Sequence, residues 1–307
     1  MIKIISLTKR YGDFTAIDNI SFEIEKGAIY GLVGINGAGK STLLRTVAGI
    51  YSATKGSVVY DGLDIFDNPR IKSRIAFVPD ELYLPSTMNL AGMMKKYKTL
   101  YHGKFNAEKC KHLAGEFELD LKQRFNTFSK GMRRQAATVL ALSLETEYIF
   151  FDETFDGLDP FKRAYIKRLI ANDVRERGAT AVISSHSLKE LADVCDRLAV
   201  LDKGGLVFES DVSSLDAGVI KVQVAFAEDF GRDRFGGFDV IDYSKQGRVA
   251  QLIVRGDKED VDRRMRALSP ILYETLPLSL EEVFTLELGR RGVNTFAPTE
   301  GEVSRNA

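Results

Sequence analysis

The chain has 307 residues, of which 44% are hydrophobic, so it is long enough to fold around a substantial buried core. Its 43 basic and 43 acidic residues leave a formal net charge of zero, which gives no general attraction to nucleic acid or to an anionic bilayer. No apolar run approaches the roughly 18 residues of a membrane-spanning helix, and the charged start is unlike a signal peptide, so we expect a cytoplasmic protein.

Strand patterns joined by turns dominate the first 85 residues. Alternating apolar and polar side chains, or short apolar runs, predict these strands. They lie at residues 2–7, 20–25, Ala28–Val33, Ser57–Tyr60 and Arg74–Val78. A glycine-rich loop after the third strand leads into a predicted helix at Ser41–Ile50, and Asp61-Gly62 predicts a hairpin turn.

Helical spacing replaces the strand patterns from about residue 86 to residue 145, which predicts a helical subdomain. A buried strand returns at Tyr148–Phe151, and strands and helices then alternate. The later predictions are helices at Phe161–Arg177 and Ser187–Val194 and strands at Thr180–Ser184, Arg197–Leu201 and Leu206–Phe208. This alternation indicates a largely parallel sheet covered on both faces.

Residues 212–290 are predicted to form a small, separate α+β domain after a first domain at 1–211. Its predicted elements are strands at Val219–Phe226 and Val249–Val254 and helices at Asp257–Leu268 and Leu280–Leu288. The final stretch, 291–307, is polar and aperiodic, and we expect it to be disordered.

Residues 34–41 match the phosphate-binding pattern G-x-x-x-x-G-K-[ST] between a predicted strand and a predicted helix. The backbone N–H groups of such a loop, together with the helix N-terminus, bind phosphates. The predicted nucleotide-binding residues here are Gly34, Ile35, Asn36, Gly37, Ala38, Gly39, Lys40, Ser41 and Thr42. Lys40 is predicted to reach the β- and γ-phosphates, and the Ser41 hydroxyl to bind Mg²⁺. The alternative is an ordinary glycine-rich turn with a chance Lys-Ser pair.

The apolar strand at Tyr148–Phe151 ends in two carboxylates, Asp152 and Glu153. Phosphoryl transfer requires an anchor for the metal and a group that positions the attacking water. We predict Asp152 for the first role, through a metal-bound water, and Glu153 for the second, as general base. An acidic pair after a strand is often only the start of a solvated loop, but the phosphate-binding pattern upstream favours the catalytic interpretation.

With these motifs in order, residues 1–210 resemble an ATP-binding subunit of the ABC transporter family, of the ABC-2 exporter type. Phe128-Ser129-Lys130-Gly131-Met132 resembles the L-S-G-G-Q signature and stands upstream of the acidic strand, as in the family. The implied fold is α/β, a P-loop NTPase of ABC type with a mixed sheet core, a helical subdomain and a small C-terminal α+β domain.

Three further segments resemble family elements. The resemblance implies that Tyr11 stacks on adenine, that residues 156–160 form the loop linking two ATP sites, and that His186 senses the γ-phosphate. We therefore predict Glu153, His186 and Lys40 as catalytic residues.

Two positions depart from the family pattern. Asp80 stands where the family usually has a glutamine that touches Mg²⁺ and the attacking water; a carboxylate can still ligate Mg²⁺ but cannot donate a hydrogen bond when ionised. Lys130 replaces the first signature glycine and either adds charge near the γ-phosphate or points into solvent, which is the alternative we favour.

The resemblance implies that Mg²⁺, held by Ser41, Asp152 and Asp80, and ATP lie between two subunits. Ser129 and the N–H of Gly131 from a second copy, or from a homologous ATPase subunit, would close over the γ-phosphate. The pair would drive membrane-spanning permease subunits from the inner face of the cell membrane. Residues 82–85 would either contact a permease subunit or pack locally against this chain's own core. No nucleic acid partner is expected.

Two other function classes remain open at this point. One is a soluble ABC-type ATPase acting on ribosomes or DNA, against which the single signature and the absence of sustained heptads argue. The other is a non-enzymatic, nucleotide-sensing regulator; the intact Lys40, Asp152, Glu153 and His186 argue against it, but the departure at Asp80 keeps it open. The transported substrate and its direction reside in the permease subunits, although the departures slightly favour export.

Overall fold

The computed structural model describes residues 1–101, 103–214, 218–279, 282, 283, 285, 286 and 289. The chain divides into two compact units, the first spanning Met1–Val212 and the second beginning at Ser213. Most of the helix predicted at 280–288, and all of the stretch 291–307 predicted to be disordered, lie outside the described residues. None of the helices in the described ranges is long and apolar enough to cross a membrane.

The first unit alternates strands and helices. Its strands are β1 (Ile2–Tyr11), β2 (Phe14–Ile24), β3 (Ile29–Val33), β4 (Lys55–Tyr60), β5 (Leu63–Asp64), β6 (Ile75–Val78), β7 (Tyr148–Asp152), β8 (Thr180–Ser185), β9 (Arg197–Asp202) and β10 (Gly205–Asp211). Its helices are α1 (Lys40–Val47), α2 (Pro69–Lys72), α3 (Leu90–Leu100), α4 (Ala107–Glu116), α5 (Lys130–Leu142), α6 (Pro160–Arg177) and α7 (Leu188–Ala192).

The central sheet has six strands in the order β10-β9-β3-β8-β7-β6. The strands from β9 to β6 are parallel, and only β10 pairs antiparallel, with β9. Every residue of β3, β7 and β8 is buried, as expected for parallel strands covered on both faces. This arrangement confirms the predicted largely parallel sheet and places the loops after β3, β7 and β8 at one edge.

A second sheet, ordered β2-β1-β4-β5, is antiparallel and packs over α1. The side chains between the two sheets form one apolar core to which α1 contributes Leu43, Leu44 and Val47. The hairpin turn predicted at Asp61-Gly62 is confirmed, since both residues have positive φ angles, 51° and 87°. Strands β1 and β2 are longer than predicted, so Tyr11 lies at the tip of their hairpin.

Helices α3, α4 and α5 lie within residues 86–145. Each begins after a polar residue whose side chain accepts a hydrogen bond from the backbone N–H three residues later: Asn89, Asn106 and Ser129. These caps satisfy N–H groups that the first helical turn leaves unpaired, which is why the helices start where they do.

The second unit contains a four-stranded antiparallel sheet in the order β12-β13-β11-β14. Its elements are β11 (Val219–Ala225), β12 (Asp239–Gln246), β13 (Val249–Arg255), α8 (Lys258–Ala267) and β14 (Leu272–Leu276). The sequence analysis did not predict β12 and β14. Both are edge strands with several exposed side chains, so burial leaves only a weak pattern in their sequences.

Candidate functional site

The loop at 34–41 joins the end of β3 to the start of α1. Gly37 and Gly39 have φ angles of 85° and 103°, a region that side-chain-bearing residues avoid. A Cβ on Gly39 would also lie 2.7 Å from the carbonyl oxygen of Ala16. No side chain caps the N-terminus of α1, so its first N–H groups, with the positive end of the helix dipole, face the loop and are suited to an anion.

Lys40 is buried beneath this loop. Its Nζ donates to the carbonyl oxygens of Gly34 at 2.5 Å and Ile35 at 3.2 Å, and lies 3.0 Å from Glu153 Oε1. The Lys40 side chain is only 5% exposed, so its charge is held in one place by these three oxygens. Lys40 thus links the glycine-rich loop at 34–41 to the acidic end of β7.

Asp152 is fully buried at the end of β7. Its Oδ1 accepts hydrogen bonds from the hydroxyls of Ser41 at 2.9 Å and Ser184 at 2.8 Å. Its Oδ2 has no hydrogen-bond partner among the described residues and lies 3.8 Å from the Arg45 guanidinium. Burial raises the pKa of Asp152, the two hydroxyl hydrogen bonds oppose that rise, and the negative charge of Asp80 adds to it.

This donor set fits Mg²⁺. A buried carboxylate oxygen without a hydrogen-bond donor, next to a serine hydroxyl, offers the hard oxygen atoms that the ion prefers. The described residues contain no group of three or more His, Cys, Asp or Glu side chains that could hold a metal ion alone. Nucleotide-bound Mg²⁺ is commonly held by one or two protein oxygens together with phosphate oxygens.

Glu153 follows directly, with a backbone φ of 48°. A residue with a side chain in this left-handed region costs roughly 1–3 kcal/mol, a strain that clusters at functional sites. The backbone N–H of Glu153 donates to Ser184 Oγ at 3.1 Å, which holds the turn. Its Oε2 accepts the His186 N–H at 3.3 Å and lies 3.1 Å from His186 Nδ1. Lys40 and His186 therefore hold the two oxygens of one carboxylate.

Ser129 and Gly131 lie elsewhere, at the N-terminus of α5. Ser129 is exposed, and its Oγ accepts the Met132 N–H at 3.2 Å. A Cβ on Gly131 would meet the Gly157 carbonyl oxygen at 3.3 Å, so glycine permits a close approach there. No hydrogen bond or ion pair in the described parts of the chain joins these two residues to the loop at 34–41.

Lys130 is mostly exposed, at 69%, but its amine does not simply point into solvent as the sequence analysis favoured. Its Nζ lies 2.7 Å from Asp156 Oδ2, and the hydrogen bond from Lys130 lowers the pKa of Asp156. The aliphatic stem of Lys130 also passes close to Gly157, where a Cβ would lie 3.4 Å from it. The signature segment and the loop at 156–160 are therefore in contact within one chain.

Asp80 lies in the loop after β6 and is held by Arg134 of α5. Arg134 Nη2 donates to Asp80 Oδ1 at 2.8 Å, and Nη1 donates to the carbonyl oxygens of Asp80 at 2.9 Å and Pro79 at 3.1 Å. The carboxylate of Asp80, at the position where the family usually has a glutamine, is thus paired with a cation on α5.

Tyr11 is 45% exposed at the tip of the β1–β2 hairpin. Its ring meets that of Tyr51 edge to face, with centroids 6.2 Å apart, and Lys9 Nζ lies 5.0 Å from its centroid. An exposed aromatic face beside a cation suits a stacked base.

The structure therefore brings Lys40, Ser41, Asp152, Glu153 and His186 into contact and leaves Ser129 and Gly131 apart from them. Sequence reasoning missed Ser184, which binds both Asp152 and the backbone of Glu153. It also missed Arg134. The sequence did contain a signal for Arg134. It has the spacing that places it on the same buried face of α5 as Thr138 and Ala141, and a charge on a buried face requires a partner.

Comparison with known proteins agrees with this geometry. The family model described as "ABC transporter" matches residues 17–156. The ABC transporter ATP-binding protein YtrB of Bacillus subtilis (strain 168) is 28% identical over 290 residues, covering 94% of this chain and 98% of its own. The linearmycin resistance ATP-binding protein LnrL of the same organism is 33% identical over 214 residues, covering 67% of this chain and 68% of its own.

Among solved structures, a dimeric post-hydrolysis state of the ATP-binding cassette MJ0796 bound to ADP and Pi has a TM-score of 0.62 and 23% identity. The match covers 69% of this chain and 99% of that one, and at this identity it establishes the fold. Fold, motif order and relatives agree: the chain belongs to the ABC transporter family, as an ATP-binding ATPase subunit with a P-loop NTPase fold.

Proposed function

We propose that this chain binds ATP with Mg²⁺ on residues 34–42, hydrolyses it in a pair of ATPase subunits, and thereby powers separate membrane-spanning permease subunits. The observation that carries this proposal is the convergence of Lys40, Asp152 and Glu153, from distant parts of the sequence, at one edge of the central sheet. Lys40 would exchange its loop carbonyls for the β- and γ-phosphate oxygens, and Tyr11 would stack on the adenine.

Glu153 is the general base in this proposal. Its carboxylate accepts a proton from the attacking water while the backbone turn holds it in place. Lys40 stabilises the charge that spreads over the transferred phosphoryl oxygens, and His186 keeps the carboxylate oriented by its contacts with Oε2.

The Mg²⁺ of the proposal would be held by the Ser41 hydroxyl and, directly or through water, by Asp152, with Asp80 as a further candidate. When bound, it neutralises charge on the β- and γ-phosphates. The hydroxyls of Ser41 and Ser184 hold Oδ1 of the Asp152 carboxylate, and Oδ2 has no hydrogen-bond partner among the described residues.

The partner subunit would supply what the chain's own site lacks. Ser129 is exposed and Gly131 lies near it at a helix N-terminus, and no hydrogen bond or ion pair among the described residues joins either of them to the chain's own loop at 34–41. A second copy, or a homologous ATPase subunit, would bring these donors to the γ-phosphate. The dimer of the MJ0796 cassette with ADP and Pi is a precedent for such pairing.

A groove beside the Asp80 loop is the proposed contact for a permease subunit. It encloses about 120 Å³ and is lined mainly by apolar and aromatic side chains. They include Phe77, Leu82, Tyr83, Leu84, Tyr97 and Tyr101. Tyr83 is 89% exposed, whereas Leu82 and Leu84 are half-buried, so the segment both packs locally and offers an aromatic ring to a partner. The chain would then lie on the cytoplasmic face of the membrane.

Replacement of the proposed base tests the function. Glu153→Gln should lower the rate of phosphate release by about 100-fold to 10,000-fold, because the amide cannot accept the proton. ATP binding should persist, and size-exclusion chromatography with ATP should show an accumulated dimer.

The matched control is Glu147→Gln, just before the same strand β7, where the carboxylate pairs with Arg74. That variant should keep phosphate release near the wild-type rate. Undiminished release by Glu153→Gln would contradict the assignment of the base, and wild-type protein that does not bind ATP in the presence of Mg²⁺ would contradict the proposed function.

A further inference from the structure

Arg134 is a buried cation close to the proposed site that has no role in the mechanism above. Its side chain is 1% exposed, and it lies in α5, little more than one helical turn after Ser129. A buried guanidinium is costly unless it is paired and hydrogen-bonded. The hydrogen-bond partners of Arg134 therefore indicate its role in the structure.

All the hydrogen bonds that Arg134 donates from Nη1 and Nη2 end on two consecutive residues after β6, Pro79 and Asp80. Two of them fix backbone carbonyl oxygens, and the third fixes the Asp80 carboxylate. One planar group thus sets both the path of the loop and the direction of its charged side chain. The contact joins residues 54 positions apart in the sequence.

Asp80 and Asp152 leave the same edge of the central sheet, since Val78 pairs with Phe151 in the parallel strands β6 and β7, and the negative charge of the Asp80 carboxylate therefore lies near the proposed site. Arg134 offsets that charge and keeps Oδ1 of Asp80 directed toward α5. Without the guanidinium, the half-exposed carboxylate would be free to turn toward the oxygens of Asp152 and Ser41.

We propose that Arg134 is a positioning residue of the ATPase, which fixes the direction of the Asp80 carboxylate and ties the loop at 79–81 to the helix that begins after Ser129. The inference rests on the proposed function and adds a specific link. Movement of α5 when a partner subunit closes on Ser129 would be transmitted to the loop beside the groove, and the charge next to Asp152 would change with it.

The two single variants should shift the Mg²⁺ dependence of the full-length protein in opposite directions. Arg134→Gln leaves an unpaired carboxylate near Asp152, so the Mg²⁺ concentration for half-maximal ATPase activity should fall and the KM for ATP should rise, each by roughly fivefold. Asp80→Asn leaves the guanidinium without its carboxylate, so the Mg²⁺ concentration for half-maximal activity should rise and the KM for ATP should fall. The double variant Arg134→Gln/Asp80→Asn should return both values to within about twofold of wild type, because its net charge is unchanged.

Lys109→Gln is the matched control for loss of a buried ion pair. Lys109 Nζ lies 2.5 Å from Asp173 Oδ1 and joins α4 to α6 without touching the site. This variant should lower Tm and leave the Mg²⁺ dependence unchanged. If Arg134→Gln does not fold, Asp80→Asn still tests the direction of the shift, because that side chain is 46% exposed.

Wild-type protein without Mg²⁺-dependent ATPase activity would overturn the proposed function and this inference with it. An active wild type whose Asp80→Asn and Arg134→Gln variants lose stability, with Mg²⁺ dependence unchanged or shifted in the same direction, would overturn the role of Arg134 alone. Opposed shifts, cancelled in the double variant, are the result expected.

Discussion

The edge of the central sheet and the N-terminus of α5 carry functional groups in opposite physical states. At the sheet edge, Lys40 and Asp152 are 5% and 0% exposed, and each is held by several contacts. At the start of α5, Ser129 is exposed and contacts its own helix. The first region is assembled by folding, whereas the second is exposed, as our proposal of a partner subunit requires.

The difference teaches where each half of the proposed catalytic site is stabilised. Buried charges such as Lys40 and Glu153 persist because the fold pairs them. The exposed Ser129 and the half-buried Gly131 at the helix N-terminus are uncharged and require no such pairing, and backbone N–H groups at a helix N-terminus are suited to an anion. A site divided in this way has one half that is fixed before binding and one that only a partner subunit completes.

The largest expected effect comes from disabling each half in turn. Lys40→Ala should lower kcat/KM for ATP by about 100-fold or more, since it removes a donor aimed at developing charge. Ser129→Asp should do the same while keeping the helix cap, because aspartate caps as well as serine but repels phosphate. An equimolar mixture of the two variants should recover part of the activity, since one of its two composite sites is intact.

Phosphate release from the mixture, compared with each variant alone, measures this recovery. Ser129→Asn provides the control, because it keeps the cap without adding charge and should retain most activity. A mixture no more active than its components would show that two copies of this chain do not share a site.

A smaller effect is expected at Tyr11, which lies between the two extremes because it is half-exposed yet contacts Tyr51. Tyr11→Ala should raise the Kd for ATP by about 10-fold, since stacking on a base is worth about 1–3 kcal/mol. Tyr11→Phe retains the ring and should bind ATP as the wild type does. Fluorescence titration with a labelled ATP analogue distinguishes the two, and equal affinities would remove Tyr11 from the site.

The smallest expected effect is on protein stability. It concerns the free energy that is lost when the ionised Asp152 is buried at the sheet edge. Because burial raises the pKa of Asp152 in the folded state, the folded protein binds this proton more tightly than the unfolded chain does. The contribution of Asp152 to the free energy of unfolding therefore falls as pH rises through the raised pKa, and it stays low above it.

Asp152→Asn removes that pH-dependent loss. The Tm of the variant minus that of the wild type should increase as pH rises from about 4 to about 7. Thermal melts across this range measure the difference, in which the contributions of other groups cancel. A Tm difference that is constant or decreases with pH would show that burial of the ionised Asp152 does not destabilise the folded protein.

Local patterns in the sequence predicted much of the fold. Apolar runs identified β3, β7 and β8, and the strand-loop-helix context of Gly34–Ser41 placed the phosphate loop correctly between β3 and α1. The extension of β1 to Tyr11 and the edge strand β12 were not predicted, because the polar residues of both segments, such as Lys9 and Arg10 in β1, interrupt the apolar alternation.

The sequence by itself determined the fold class, the family and the residue types of the site, because these depend on short motifs and on their order along the chain. Only the tertiary structure decided which of these residues touch. The contacts of Lys40 with Glu153, of Glu153 with His186, and of Arg134 with Asp80 join distant segments. A buried charge such as that of Lys40 or Arg134 needs a partner, but the fold alone chooses which residue it is.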